Sequence, residues 1–119
     1  LNDILNKIET STNSNQNLVL NIVFNYGLKD ELIHIINEII KKKDIVNYKN
    51  IRSQMYLGSQ QDPDILIRTG GYQRLSNFIP LNLSYTEFFF SKKLWPEFSI
   101  KDLSEIIEKY KFIKKNYGL

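Results

Sequence analysis

The stretch Arg68-Thr69-Gly70-Gly71-Tyr72-Gln73-Arg74-Leu75-Ser76-Asn77 concentrates residue types suited to gripping an anion. A Gly-Gly turn lets the chain double back, so both guanidiniums can aim at one point, and glycine lets the backbone approach a bulky anion closely. A guanidinium offers a fixed fork of donors that matches phosphate oxygens, and the Ser76 hydroxyl adds a third donor two residues further on. The chain has three arginines among sixteen basic residues, and two of them fall in this one segment. Two readings fit these residues: a diphosphate or multi-anion site, or a structural turn whose arginines cap helix ends or pair with surface carboxylates. Glu87 is the next candidate. It opens an aromatic run, where an unpaired carboxylate would be costly, and it could help hold Mg²⁺, which takes one or two carboxylates plus substrate phosphates. Taken alone, it reads first as a glutamate at a strand start that pairs with a neighbouring arginine or faces water.

The elements that must position these groups follow from periodicity. Leu18-Val19-Leu20-Asn21-Ile22-Val23-Phe24 is a nearly continuous apolar run that predicts a strand covered on both faces. It ends at the turn Asn25-Tyr26-Gly27. Residues 64–68 predict a second strand that stops at Thr69-Gly70-Gly71, and residues 86–91, with Phe88, Phe89 and Phe90, predict a third. Between them lie helical patterns. Residues 1–10 space Leu1, Ile4, Leu5 and Ile8 for a helix. Residues 30–43 give the clearest one, with Leu32, Ile33, Ile35, Ile36, Ile39 and Ile40 on its apolar face, Asp30 and Glu31 at its start and lysines at its end. A short helix over 48–56 would bury Tyr48, Ile51 and Met55. Residues 76–83 predict another short helix, kinked at Pro80. Trp95, next to Pro96, reads as a core anchor. Ser99 and Asp102 form a capping box that opens a last helix burying Leu103, Ile106, Ile107 and Tyr110. Alternating strands and helices predict an α/β layer structure with a parallel sheet of about three strands. Ligands of such sheets bind beyond the carboxyl ends of the strands, which is where Asn25 and Arg68 fall. His34 belongs to the polar helix face, and Lys41-Lys42-Lys43 is a solvated turn.

The segment Asp64-Ile65-Leu66-Ile67-Arg68-Thr69-Gly70-Gly71, followed by Gln73-Arg74-Leu75-Ser76-Asn77-Phe78, resembles the signature of the cis-prenyltransferases, the family of undecaprenyl diphosphate synthase. Tyr85, Glu87, Phe88 and Phe90, then Leu94-Trp95-Pro96-Glu97-Phe98, continue the pattern. Upstream, Leu20-Asn21-Ile22 through Asn25-Tyr26-Gly27 is similar to the family's preceding strand. The resemblance runs from about residue 18 over nearly all of the chain. It implies an enzyme that joins isopentenyl diphosphate to an allylic diphosphate, making a cis double bond each cycle and a polyprenyl diphosphate as product. It implies that Arg68, Arg74, Leu75 and Ser76 bind the diphosphate of isopentenyl diphosphate, that Asn25 lies nearby, and that Glu87 contributes to Mg²⁺ binding. It further implies a homodimer or a partner chain, and it makes residues 1–119 the C-terminal portion of one domain. The N-terminal portion, with the catalytic aspartate, is then absent, and these residues alone are expected to be inactive. The alternative is a non-catalytic accessory subunit of a two-chain enzyme. Three positions depart from the family pattern: Tyr72 stands where glutamate is usual, Leu28-Lys29 where Gly-Arg is usual, and Asn116-Tyr117-Gly118 where many members carry Arg-X-Gly.

Composition bounds the remaining possibilities. The chain has 119 residues, 42% of them hydrophobic, with no cysteine and a net charge of +3. That length is one domain or part of one. A disulfide framework, a thiolate metal site and a thiol nucleophile are excluded. The basic excess comes from lysine in a chain that has no alanine and is rich in isoleucine and asparagine, so it is not read as a nucleic-acid footprint. The chain opens on Leu1 and its only methionine is Met55, from which residues upstream are expected to be missing. No apolar run reaches the roughly 20 residues that span a bilayer. A lipid product would place the work in the cytoplasm, peripheral to a membrane, or in an organelle.

Overall fold

The computed structural model describes residues 2–78 and 81–114. Helix α1 spans Asn2–Thr12, α2 Leu28–Lys41, α3 Tyr48–Gln54 and α4 Ile100–Lys111; strands β1 and β2 span Ile65–Arg68 and Glu87–Phe90. A single 3-10 turn covers Trp95–Glu97. The α/β architecture with a parallel sheet is as expected, and the sheet has two strands where three were expected.

β1 and β2 pair in parallel with Ile65 opposite Glu87 and Arg68 opposite Phe90. The ladder continues past the strands. Ser91 N–H donates to Arg68 O at 2.8 Å, Gly71 N–H to Ser91 O at 2.9 Å and Gly70 N–H to Lys93 O at 2.7 Å. The Gly-Gly turn is thereby anchored to the segment leaving β2. At the other end, the Tyr110 hydroxyl of α4 donates to Asp64 Oδ1 at 2.7 Å, and the Thr86 hydroxyl donates to Pro63 O at 2.6 Å.

α2 forms where its apolar spacing predicts it and packs against α3. Its Ile35 and Ile39 join Leu83 and Ile106 as the buried apolar residues among those described. α3 is capped by Asn47, whose side chain accepts from Asn50 N–H at 2.9 Å. Arg52 sews the loop after α3 in place, donating to Gly58 O at 3.2 Å, to Gln60 O at 3.1 Å and pairing with Asp62 at 2.7 Å. Gly58 is needed for that approach, because a Cβ there would lie 1.7 Å from Arg52 O. α4 starts at the predicted capping box: Ser99 Oγ accepts from Asp102 N–H and the Asp102 carboxylate accepts from Ser99 N–H.

Several expectations are corrected. Residues 18–24 form no strand: β1 and β2 bond to each other, no described segment offers this run a ladder, and strand propensity without a pairing surface is insufficient. Leu18 is 79% and Leu20 76% exposed. Residues 75–78 make a tight turn instead of the start of a helix, because Ser76 and Asn77 both take positive φ, +48° and +64°. Pro80 lies outside the described residues. Trp95 is exposed and stacks on Phe98 at 6.2 Å, so it anchors no core among the described residues. Tyr48, Leu103 and Ile107 are likewise exposed.

The accessible surface is 10259 Å², against about 6,700 Å² for a compact chain of this mass. The radius of gyration is 17.2 Å, against about 13–14 Å for a compact domain of this length. Large apolar side chains on α1, on residues 18–24 and on α4 are among those left exposed.

Candidate anion site

The strand β1 delivers Arg68 to its carboxyl end, and the two glycines that follow turn the chain back. Gly70 and Gly71 have φ of +89° and +80°, a left-handed conformation that costs an L side chain roughly 1–2 kcal/mol. Around Gly70 there is open space, so the backbone angle and not crowding demands glycine. Once reversed, the loop is held from inside. Arg68 Nη1 donates to the carbonyl of Arg74 and to Ser76 Oγ, the latter at 3.2 Å. The Arg74 guanidinium lies 4.0 Å over the ring of Tyr72. Leu75 and Phe78 close the turn through Phe78 N–H to Leu75 O at 2.8 Å.

The structure thus brings together Arg68, Arg74, Leu75 and Ser76, four of the residues expected at a diphosphate. Among the described residues neither Arg68 nor Arg74 forms an ion pair with a carboxylate, whereas Arg52 does. Among the described residues the charge of these two guanidiniums is therefore not paired with a carboxylate, which is the electrostatic condition for holding an anion.

This loop rests on the turn that precedes α2. Leu28 N–H donates to Asn77 O at 2.9 Å, and Lys29 N–H donates to Asn77 Oδ1 at 3.1 Å. Phe78 meets Tyr26 edge-on at 5.5 Å. Tyr26 in turn donates its hydroxyl to Glu31 at 2.5 Å, and Glu31 Oε1 accepts from Tyr56 N–H at 2.8 Å. Burial first, then the hydrogen bond and charge of Glu31, push the Tyr26 phenol above its ordinary pKa. Glu31 is the one charged residue buried among those described, and its two donors satisfy it. Asn25, with φ +50°, sits at the head of this turn, so it neighbours the loop through Tyr26 and Gly27.

Glu87 is placed apart. The register sets it beside Ile65 at the start of the sheet, three residue steps or about 10 Å along the strand from the level of Arg68. Among the described residues no group of three or more His, Asp or Glu side chains could hold a metal ion. Sequence reasoning missed Asn77 and the stacking role of Tyr72. Asn77 carried a signal, since asparagine tolerates positive φ and caps helices, but its helix lies 48 residues away. Asn116, Tyr117 and Gly118 lie outside the described residues.

A family model described as "Putative undecaprenyl diphosphate synthase" matches residues 1–118. The isoprenyl transferase of Oceanobacillus iheyensis is 39% identical over 114 residues, which cover 90% of this chain and 45% of that protein. That of Lactobacillus johnsonii is 37% identical over 125 residues, covering 97% of this chain and 52% of that protein. A crystal structure of a probable undecaprenyl diphosphate synthase from Campylobacter jejuni superposes with a TM-score of 0.81 at 29% identity, over 98% of this chain and 55% of that one. Lavandulyl diphosphate synthase from Lavandula x intermedia shares the fold, with a TM-score of 0.87 at 24% identity over 99% of this chain and 54% of that one. The chain spans about half the length of the curated relatives it matches. With the family model covering all but its last residue, the chain belongs to the undecaprenyl diphosphate synthase family of prenyltransferases.

Proposed function

We propose that this chain is the C-terminal portion of an isoprenyl transferase domain and supplies its grip on isopentenyl diphosphate. The observation that carries the reading is the cluster of Arg68, Arg74 and Ser76 on a glycine turn, with no carboxylate paired to either arginine among the described residues, in a chain of this family. The ring of Tyr72 covers one face of the Arg74 guanidinium and leaves its edge to meet phosphate oxygens. Arg68 uses Nη1 to hold the loop, and a guanidinium has further donors for a phosphate.

In the condensation, the terminal alkene carbon of isopentenyl diphosphate bonds to C1 of the allylic diphosphate. The allylic C–O bond breaks, its electron pair leaves on pyrophosphate, and a proton is lost to form the new cis double bond. The part played here is to hold the nucleophile's diphosphate so that its alkene is oriented, a positional contribution. Mg²⁺, when bound, would offset pyrophosphate charge. Glu87 is the one carboxylate proposed to reach it, so its other ligands would come from substrate phosphates and from the rest of the enzyme. The remaining portion of the domain is proposed to bind and ionise the allylic substrate, which makes residues 1–119 inactive alone. We extend the reading to a homodimer or partner chain working in the cytoplasm at a membrane surface, because the product is a lipid. Among the described residues no helix is long and apolar enough to cross a membrane.

The exposed apolar run at 18–24 favours a second reading, an accessory chain that docks on a separate catalytic subunit. Co-purification with such a subunit supports it, and a catalytic N-terminal portion on the same polypeptide excludes it.

The test of the leading reading is Arg74→Ala in the complete enzyme. Loss of a charge-assisted contact is worth about 1.5–3 kcal/mol, so affinity for isopentenyl diphosphate falls about 10- to 100-fold by titration calorimetry. Wild-type affinity in that variant would sink the site assignment.

A further inference from the structure

We infer that Asn77 is a positioning residue that locks the diphosphate loop to the N-terminus of α2; this rests on the reading of Arg68, Arg74 and Ser76 as a diphosphate grip. The first N–H groups of a helix have no partner within it. At α2 the N-cap residue is Gly27, which has no side chain to supply one. The cap comes from Asn77 instead, whose carbonyl takes Leu28 N–H at 2.9 Å and whose Oδ1 takes Lys29 N–H at 3.1 Å.

The same two bonds hold Asn77 at both its backbone and its side chain. They fix the turn in which Ser76, a residue with little tolerance for φ +48°, presents its hydroxyl to Arg68 at 3.2 Å. A second, independent observation points to the same lock. Gly27 has an ordinary extended φ of −146°, so its backbone does not require glycine. A Cβ there would lie 2.5 Å from Asn77 Nδ2. Asp30 Oδ2 would lie 3.1 Å away, so the closest obstacle to a side chain at position 27 is the Asn77 amide. The order of dependence runs from the end of α2 through Asn77 to Ser76 and Arg68, and neither Asn77 nor Gly27 is required to touch the ligand.

The experiment is a double-mutant cycle in the complete native enzyme, with isopentenyl diphosphate as the titrant and each variant shown folded by thermal denaturation at the assay temperature. Asn77→Gly keeps access to positive φ and removes the side-chain cap; Gly27→Ala pushes on Asn77 from the other side. A lost cap is worth about 1 kcal/mol, so each single variant weakens binding about 5-fold. The double variant is no weaker than Asn77→Gly alone, because the amide that the added methyl group would strike is gone and the remaining contact, Asp30 Oδ2 at 3.1 Å, is the end of a side chain that can move aside. The KM for isopentenyl diphosphate rises while that for the allylic diphosphate does not, a split that general destabilisation would not produce. Multiplying losses, or single variants within twofold of wild type, overturn the lock. Arg74→Ala runs alongside: if it lowers affinity and Asn77→Gly does not, only the lock fails. If Arg74→Ala changes nothing, the diphosphate reading falls and takes the lock with it.

Discussion

Three arginines in one chain meet different fates, and the difference lies in what each guanidinium faces. Arg52 is consumed by loop carbonyls and by Asp62. Arg68 and Arg74 are held by a carbonyl, a hydroxyl and an aromatic ring, none of which neutralises them. Holding a cation without cancelling its charge is what a binding site for an anion needs. Tyr72 is the device for Arg74, and a cation over an exposed ring is worth about 0.5–1 kcal/mol. Tyr72→Ala is therefore expected to weaken isopentenyl diphosphate binding about two- to fivefold, and Tyr72→Phe, which keeps the ring, to leave it near wild type. Calorimetric titration of the two variants side by side checks this; equal losses would assign the effect to the hydroxyl. The arginine cluster was legible in the sequence because glycine and arginine have few substitutes in such a turn. The role of Tyr72 was not, since an aromatic two residues from an arginine reads as any exposed side chain until the turn brings ring and guanidinium face to face.

At the scale of elements, helix ends decided what could be read. α4 carries both halves of its cap within four residues, so Ser99 and Asp102 announced it. α2 draws its cap from Asn77 across 48 residues, and a local pattern cannot show that. The run at 18–24 has strand composition and forms no strand, because a ladder is a property of two segments. The turn at 75–78 reads as a helix start in the sequence because positive φ at Ser76 is imposed by tertiary bonds and not by propensity. The cap of α4 also sets a pH dependence. The hydrogen bond from Lys93, followed by those from Ser99, holds the Asp102 carboxyl well below the usual carboxylate range. A depressed folded pKa means the contribution is fully present above the ordinary carboxylate pKa of about 4, and is lost as pH falls from there through the folded value. Asp102→Asn is thus expected to melt at a lower temperature than wild type near pH 7, with the gap closing below about pH 4. Thermal denaturation followed by circular dichroism across that range checks it, and a gap independent of pH would remove the carboxylate from the cap's energetics.

For the whole molecule, the surface area and radius carry the inference. The surplus over a compact chain is about 3,500 Å², a scale typical of obligate interfaces, which bury roughly 2,000–5,000 Å². Among the exposed apolar side chains are Leu20, Ile22 and Phe24, and Phe88 and Phe90 on β2. The matched relatives are about twice as long as this chain. Residues 18–24 have strand composition, and strand composition without a neighbouring segment to supply a ladder forms no strand. A run with backbone N–H groups facing water exchanges hydrogen quickly, and one within a sheet exchanges only through opening. On the proposal that the chain is one portion of a longer domain, amides 18–24 are expected to exchange without protection in the 119-residue chain alone and to become protected when the other portion is present. Amides of β1 and β2, already paired with each other, should be slower than those of 18–24 in both states. Hydrogen exchange followed by mass spectrometry separates the possibilities. Protection of 18–24 in the isolated chain would mean that it finds its ladder within these residues, and lack of protection in the complete domain would mean that the exposed faces are covered by something other than a sheet.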